Sequence, residues 1–591
     1  MPILSFFYFA IWFGGAFWSV SGRFLDAETA PKVYWALFGA ALFSLGCVAT
    51  AFSGRGEAKK PHFIGISAAI VLCAVSQAVY ALLQWSGACP SAGPFPACGS
   101  FDNPAGLASA LAFSLPFGLH LAENCQRPLR SALCVAMALT ACAILASGSR
   151  SGMLAMGAVL PAYLLTKRRR TRSALFLTLL AAAAAVAAAG LYHYKKDSAD
   201  GRLLIWQCTW ELIKESPWTG HGPGGFQAHY MEAQADYFRQ HPDSPYARLA
   251  DDVKAPFNEY LGLWTNFGLT GLLAAAAVIA LLHRAWRRHS YGSSLPAALC
   301  LLSVGVFSMF SYPFRYPHTW MFTGLSAAVL LLNAYPPDSR LRRAIAVPAA
   351  FGLCLLSAFA LRRMQAEIRW CDAANRSLCG LTEQMLPIYA KLYTEMKDEP
   401  LFLYNYAAEL NVAGRYGESL HMGKESERRM ADYPTQLLLA DNCRLLGHHD
   451  DAERHLWQAA YMCPNRFVPL YELHRLYKAL GDTTGMCRTA DAILRKPVKV
   501  DSPQVRRIIA EMKRFRERLT IENTKDKSMN ADDQPSHASH VQVPTPKCAI
   551  SPSASTQRNK TGPIQISLKK RENAPWNALF SALTDVNSTK L

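Results

Sequence analysis

Repeated apolar runs about as long as a bilayer-spanning helix constrain this chain more than any other feature. The hydrocarbon core of a membrane takes about 20 consecutive apolar residues as one helix. Such runs lie near 3–20, 32–53, 62–86, 105–122, 131–148, 149–166, 173–192, 257–282, 294–312, 317–334 and 344–361. A soluble core accounts for one run of this kind, not for eleven. In lipid the backbone must satisfy its own hydrogen bonds, and long unalternating runs do so as helices. The expectation is all-α: a polytopic bundle of about eleven spans over residues 1–361, a soluble helical domain over 362–520, and a disordered tail over 521–591.

The first run lacks a basic leader, and Trp12, Phe17 and Trp18 stand where a cleavage site would need small residues, so it reads as a retained first helix. Orientation follows from Lys and Arg in the short loops. With the N-terminus in the cytoplasm, the inside loops carry Arg55, Lys59, Lys60, Arg127, Arg130, Lys167, Arg168, Arg169, Arg170, Arg172, Arg284, Arg287, Arg288, Arg340, Arg342 and Arg343. The short outside loops carry only Arg23, Lys32, Arg150 and Arg315. An odd number of spans then exports everything after residue 361. Much of the net charge of +18 is thus a topology signal, and nucleic-acid binding is disfavoured because each basic cluster sits at a helix end. Cys89 and Cys98, and Cys371, Cys379, Cys443, Cys463 and Cys487, fall on the exported side, where disulfides are permitted. No cysteine–histidine spacing suggests zinc.

Two outside segments are long enough to inform. Residues 87–104 end in Gly99-Ser100-Phe101-Asp102-Asn103-Pro104, and residues 193–256 form a long loop before the eighth run. In that loop Leu203, Trp206, Trp210 and Ile213 share one helical face, suited either to the membrane surface or to the protein's own core. Beyond residue 362, Gly414, Gly447 and Gly481 recur at spacings of 33 and 34, and Leu446-Gly447, Ala452, Ala459 and Pro464 follow the tetratricopeptide pattern. Such arrays offer a concave face to a partner, or act as a cap. From about 521 the chain is rich in Ser, Thr, Pro, Asn and Lys, apart from an apolar patch at Trp576–Leu583.

The topology gathers four polar pieces on one face: Arg150 between the fifth and sixth spans, Arg202 opening the loop helix, Asn258 and Glu259 opening the eighth span, and Arg315 with His318 between the ninth and tenth. A guanidinium fork grips phosphate at two points. Three at one membrane face suit a diphosphate, although each alone reads as an interfacial side chain. The loop also contains Gly220, Gly222, Gly224 and Gly225, a run that lets backbone approach a ligand closely or simply turn. It lacks the Lys-Ser/Thr of a phosphate loop for nucleotides.

The segments GSFDNPAGLASALAFSLP (99–116), ASGSRSGMLAM (146–156), GRLLIWQCTWELIKESPWTGHGPGGF (201–226) and FNEYLGLWTNFGLTGLL (257–273), in this order, resemble the O-antigen ligase/polymerase superfamily. That superfamily groups lipopolysaccharide O-antigen ligases, polysaccharide polymerases and bacterial protein O-oligosaccharyltransferases. The resemblance covers roughly residues 60–335. It implies a glycosyltransferase at the outer face of the bacterial cytoplasmic membrane. The donor is a polyprenyl diphosphate-linked glycan, the acceptor a hydroxyl on lipid, glycan or protein, and no metal or other cofactor is required. Arg150 and Arg202 fall on family arginine positions, and Arg315 is a further candidate. The sequence departs from the family where a histidine usually precedes the asparagine: Phe257 precedes Asn258 and cannot take a proton. Glu259, His221, Asp252 and His318, in that order, are the candidate bases. Two other classes remain open, a flippase of lipid-linked sugar and a non-catalytic scaffold that anchors the repeats.

Overall fold

The computed structural model describes residues 2–52, 61–91, 95–167, 190, 192–193, 196–290, 292–335 and 340–531. The seventh apolar run, near 173–192, and the tail from 532 lie outside these residues. The other ten runs each fall on a helix. They are α1 (Pro2–Trp18), α2 (Ala30–Phe52), α3 (Pro61–Trp85), α4 (Pro104–Glu123), α5 (Arg127–Ser147) and α6 (Arg150–Lys167). After the loop helices α7 (Lys196–Glu215) and α8 (Gly225–Gln240) come α9 (Glu259–Arg288), α10 (Ser294–Ser308), α11 (Pro317–Ala334) and α12 (Arg340–Arg376). Six stretches are long and apolar enough to cross a membrane: Ala30–Ala49, Phe63–Trp85, Pro104–Glu123, Arg127–Ser147, Glu259–Arg288 and part of Arg343–Met396. Ile3–Trp18 and Ser294–Ser308 are shorter apolar helices. No strand occurs among the described residues.

Local chemistry sets the helix starts. Asn103 caps α4 by accepting from Ala105 N, with Pro104 in the first turn, where a missing N–H costs nothing. Asn258 caps α9, its Oδ1 accepting from Tyr260 N at 3.0 Å and Leu261 N at 3.1 Å. The bundle core is aromatic: Phe13, Phe17, Phe113, Phe117, Phe307 and Phe322 are fully buried, and α4 is covered along most of its length. Trp12 of α1 packs over Gly39 of α2 and Trp35 over Gly15, where a Cβ would collide with each indole, so the two helices lie close.

α12 crosses residue 361, the expected domain boundary, without a break. At 1.5 Å per residue it extends about 55 Å, packed first along α2 and then into the soluble domain. Beyond Gly380 (φ 93°) come α13 (Thr382–Met396), α14 (Pro400–Val412), α15 (Tyr416–Glu427), α16 (Tyr433–Leu445), α17 (His449–Met462), α18 (Val468–Leu480), α19 (Thr483–Arg495) and α20 (Pro503–Ala531). Gly414, Gly447 and Gly481 turn three successive helical hairpins at φ 78°, 82° and 74°. The last helix runs to Ala531, past the expected start of disorder at 521. The fifteen cysteines among the described residues are free thiols, so those expected on the outer side pair with none of one another.

The hairpin domain folds back onto the loop. Phe226, Tyr230, Met231, Ala235 and Phe238 share a buried core with Ala431, Met462 and Cys463. Gln234 Nε2 donates to Met462 O at 2.6 Å. Charges ring this core: Lys254 bridges Asp252 at 3.1 Å and Asp432 at 2.5 Å, and Arg466 binds Asp251 at 2.7 Å.

Candidate functional site at the loop end of the bundle

Arg150 opens α6 two residues after the left-handed Gly148, and its guanidinium donates to Ser198 Oγ at 2.9 Å, joining the bundle to α7. One turn along α7, Arg202 lies with its Cζ 5.2 Å from the centre of the Phe257 ring. Phe257 meets Tyr312 edge-on at 5.0 Å, and Tyr312 stacks on Tyr316 at 6.3 Å. Arg315 Cζ is 6.0 Å from the Tyr312 ring. Arg202 and Arg315 thus flank one aromatic strip, and Arg150 stands within electrostatic reach of Arg202. Burial, and then Arg150, push the Arg202 guanidinium down to about 10; the Tyr312 hydroxyl pulls the other way, and no acid among the described residues acts on it. Burial pulls Arg315 down as well, but Tyr316 and Asp102 outweigh it and hold it charged.

Phe257 is the sole non-glycine residue with positive φ among the described residues, at 52°. A bulky side chain there is strained. Neighbours impose the geometry: Trp206 Nε1 holds Pro256 O at 2.9 Å, and the Asn258 cap fixes the next residue. The strain turns the ring under Arg202.

The sequence-nominated bases have the following surroundings. Glu259 Oε1 accepts from Phe314 N at 3.0 Å, tying α9 to the turn that carries Arg315. Asn258 is occupied as a helix cap. His318 is fully buried, with Nε2 2.8 Å from Ser109 Oγ and its ring stacked on Tyr316. His221 pairs through Nε2 with Leu212 O at 2.8 Å and lies beside His229. Asp252 sits in the charge ring against the hairpin domain, where burial pushes it up to about 6. The partners of these last two belong to the loop and the hairpins, not to the arginine strip.

The glycine run meets protein rather than open space. α9 is broken at Gly268 (φ 62°, ψ −161°), and residues 217–222 fill the break. Leu269 N donates to Pro217 O, Thr270 N to Trp218 O, His221 N to Thr265 O and Gly222 N to Asn266 O. A Cβ on Gly220 would stand 2.5 Å from Asn266 C, and one on Gly268 2.3 Å from Trp218 C. A Cβ on Gly225 would stand 2.5 Å from His221 Cβ, whereas Gly222 and Gly224 have nothing within 4 Å. Past the break, about 20 residues of α9 remain, enough alone to cross a core of about 30 Å. The loop helix α7 buries Leu204, Cys208, Leu212 and Ile213 and leaves Leu203 and Trp210 44% and 46% exposed. One face therefore packs on the protein, and part of the sequence-predicted apolar stripe points away from it.

A groove of about 760 Å³ runs beside the arginine strip between α2, α11 and α12. Its walls are apolar, including Leu37, Ala40, Leu325 and Leu353, and its lining reaches Phe314, Arg315 and Pro317 at one end.

These features define a class: a multi-pass membrane protein whose helices hold a cationic, aromatic-lined site at one end of the bundle. Residues 135–276, which contain Arg150, α7, the glycine run and the first half of α9, match the family model described as O-antigen ligase. The chain carries a domain of the O-antigen ligase superfamily, that of membrane proteins which ligate or polymerise glycans, and is a multi-pass protein of the bacterial inner membrane. No curated protein matches it.

Tyr312 and Phe257 line the candidate site between the arginines, and a scan for charged side chains passes over both. Asp102 was visible in the Phe101-Asp102-Asn103-Pro104 turn, but only the fold brings that turn against Arg315 and Tyr316.

Proposed function

We propose that the protein moves a glycan from a polyprenyl diphosphate to an acceptor hydroxyl at the outer face of the cytoplasmic membrane. The observation that carries this reading is the Arg202 guanidinium, drawn out of water beside Arg150 with no acid among the described residues acting on it. Such a cation is costly in a resting protein, and a diphosphate arriving between the two arginines offsets that cost. The same charges, fixed in place, stabilise the diphosphate as it leaves. The apolar groove ending at Arg315 supports the reading independently, since it suits a prenyl chain whose headgroup reaches the arginines. The outward orientation rests on the loop charges. Docked to the loop, the hairpin domain is suited to present an acceptor or an assembly partner.

One observation favours a flippase: the broken α9, a device that transporters use. Here, however, loop backbone takes up the freed groups of the break, which favours a fixed interfacial site over a conduit.

The test is to express Arg150→Ala and Arg202→Ala in the native host deleted for the gene and to blot surface glycans. Loss of transfer with lipid-linked glycan accumulating is expected. Unchanged glycan length and attachment at normal protein levels would overturn the diphosphate-binding role.

A further inference from the structure

Buried polar atoms without a partner lie around the Phe101–Pro104 turn. Nδ1 of His318, which is 0% exposed, has no hydrogen-bond partner among the described residues, and neither does the buried Glu28 Oε2. Buried polar atoms are nearly always paired, so two orphans around one turn point to a polar ligand. The Asp102 carboxylate, 8% exposed, sits on this turn within hydrogen-bonding reach of the Tyr316 hydroxyl. Phe101 packs edge-on against His318 at 5.2 Å and Tyr316 at 6.3 Å, and Lys32 Nζ sits 4.7 Å over the Phe101 ring while donating to Ser100 O. The charged and titratable groups facing Asp102 come from several pieces of chain: Cys98 from its own loop, Asp26 and Glu28 from the first outer turn, Lys32 from α2, and Arg315, Tyr312 and Tyr316 from the turn before α11.

We infer that Asp102 is the catalytic residue that takes the proton of the acceptor hydroxyl, in a polar slot formed with Tyr316 and His318. The inference rests on the transferase reading and supplies the base that Phe257 cannot be. Tyr312 feels both Arg202 and Asp102, so the slot and the arginine pair lie at the two ends of one aromatic strip. A glycan whose diphosphate lies on Arg150 and Arg202 then has its first sugar over Tyr312, with Asp102 beyond. An acceptor O–H in the slot attacks the anomeric carbon. The new C–O bond forms as the carbon–phosphate-oxygen bond breaks, and the electron pair leaves on the polyprenyl diphosphate. The hydroxyl proton passes to the Asp102 carboxylate and from there to water. Burial, reinforced by Asp26 and opposed by Arg315, the Tyr316 hydrogen bond and Lys32, raises the carboxyl above its usual value and makes it a better proton acceptor.

Membranes from the deletion strain hold both donor and acceptor, so purified full-length protein added to them gives a transfer rate without knowledge of either. Asp102→Asn is expected to slow transfer by about 100-fold or more, and Asp102→Glu to recover part of the loss. The native rate should fall as pH drops through the Asp102 value, and the residual Asp102→Asn rate should lack that limb. A normal rate or an unchanged acid limb for Asp102→Asn, with native protein active, would overturn the assignment and leave the transferase reading intact. Absence of transfer by the native protein would overturn both. If Asp102→Asn is recovered only as unfolded protein, the Asp102→Glu variant decides: a folded protein with no recovered activity or the native pH profile counts against the base.

Discussion

Arg202 and Phe257 face each other at 5.2 Å, a partly buried guanidinium over a ring whose backbone is held at φ 52°. The ring stabilises the cation through its π face, and the turn pays for the contact in backbone strain. Substitutions at 257 should therefore reverse the usual preference for alanine over glycine. Phe257→Gly is expected to melt higher than Phe257→Ala, by the equivalent of about 1 kcal/mol, because only glycine adopts positive φ freely. Thermal unfolding in detergent checks the order.

The depressed value of Arg202 has a stability consequence. A base whose folded-state value lies below its unfolded one costs stability at every pH below the folded value, here about 10, and the cost fades as pH rises toward the unfolded value. Arg202→Met should therefore leave the fold intact or stabilise it by roughly 1 to 2 kcal/mol while abolishing transfer. Melting temperature and glycan blots, read together, separate this outcome from simple misfolding.

The break in α9 and the loop that fills it depend on backbone meeting backbone. Gly268→Ala and Gly220→Ala each drive a Cβ into main-chain atoms and should cost more than about 3 kcal/mol, reducing folded protein in membranes. Gly222→Ala, at φ 86° with open space around it, should cost only about 1 kcal/mol and leave expression near normal. Fluorescence-detected gel filtration of the three variants tests the contrast.

The charge ring between loop and hairpins predicts a pH optimum for docking. Burial raises Asp252 to about 6, so this group adds stability as pH falls from 6 toward its unfolded value near 4. Burial also acts on Asp251, but Arg466 and Lys499 outweigh it and hold it below its usual value, so its contribution is present above pH 4 and lost as pH falls through the depressed value. Hydrogen exchange of Gly225–Val253 should be slowest near pH 5, after correction for intrinsic rates, by roughly 1 to 2 kcal/mol relative to pH 7.5. Asp252→Asn should remove the difference.

Much of the membrane architecture was legible because hydrophobic runs of bilayer length admit few alternatives. The arginines converged for the same reason: topology alone puts Arg150, Arg202 and Arg315 at one end. The glycine run was harder. Flexibility next to candidate ligands reads as a binding loop, whereas Gly220 is needed for contact with the broken helix at Gly268, and nothing in a single sequence pairs two distant glycines. Asp252 looked available because its partners Lys254 and Asp432 are joined only when the hairpins fold back. Asp102 looked like a turn residue because the groups it meets, on Arg315 and Tyr316, lie some two hundred positions along the chain. The helix through residue 361 was missed because composition changes there while helical propensity does not.

The clasp of the hairpin domain on α8 sets an order of events during synthesis. Gln234 finds its partner at Met462 only 228 residues later. At about 5 to 20 residues per second the wait is on the order of 10 to 50 s. Throughout that interval the loop that carries Arg202 lacks the part of its core that Ala431, Met462 and Cys463 supply. A chain truncated before residue 463 is therefore expected to insert its helices while the loop core stays open on the hairpin side.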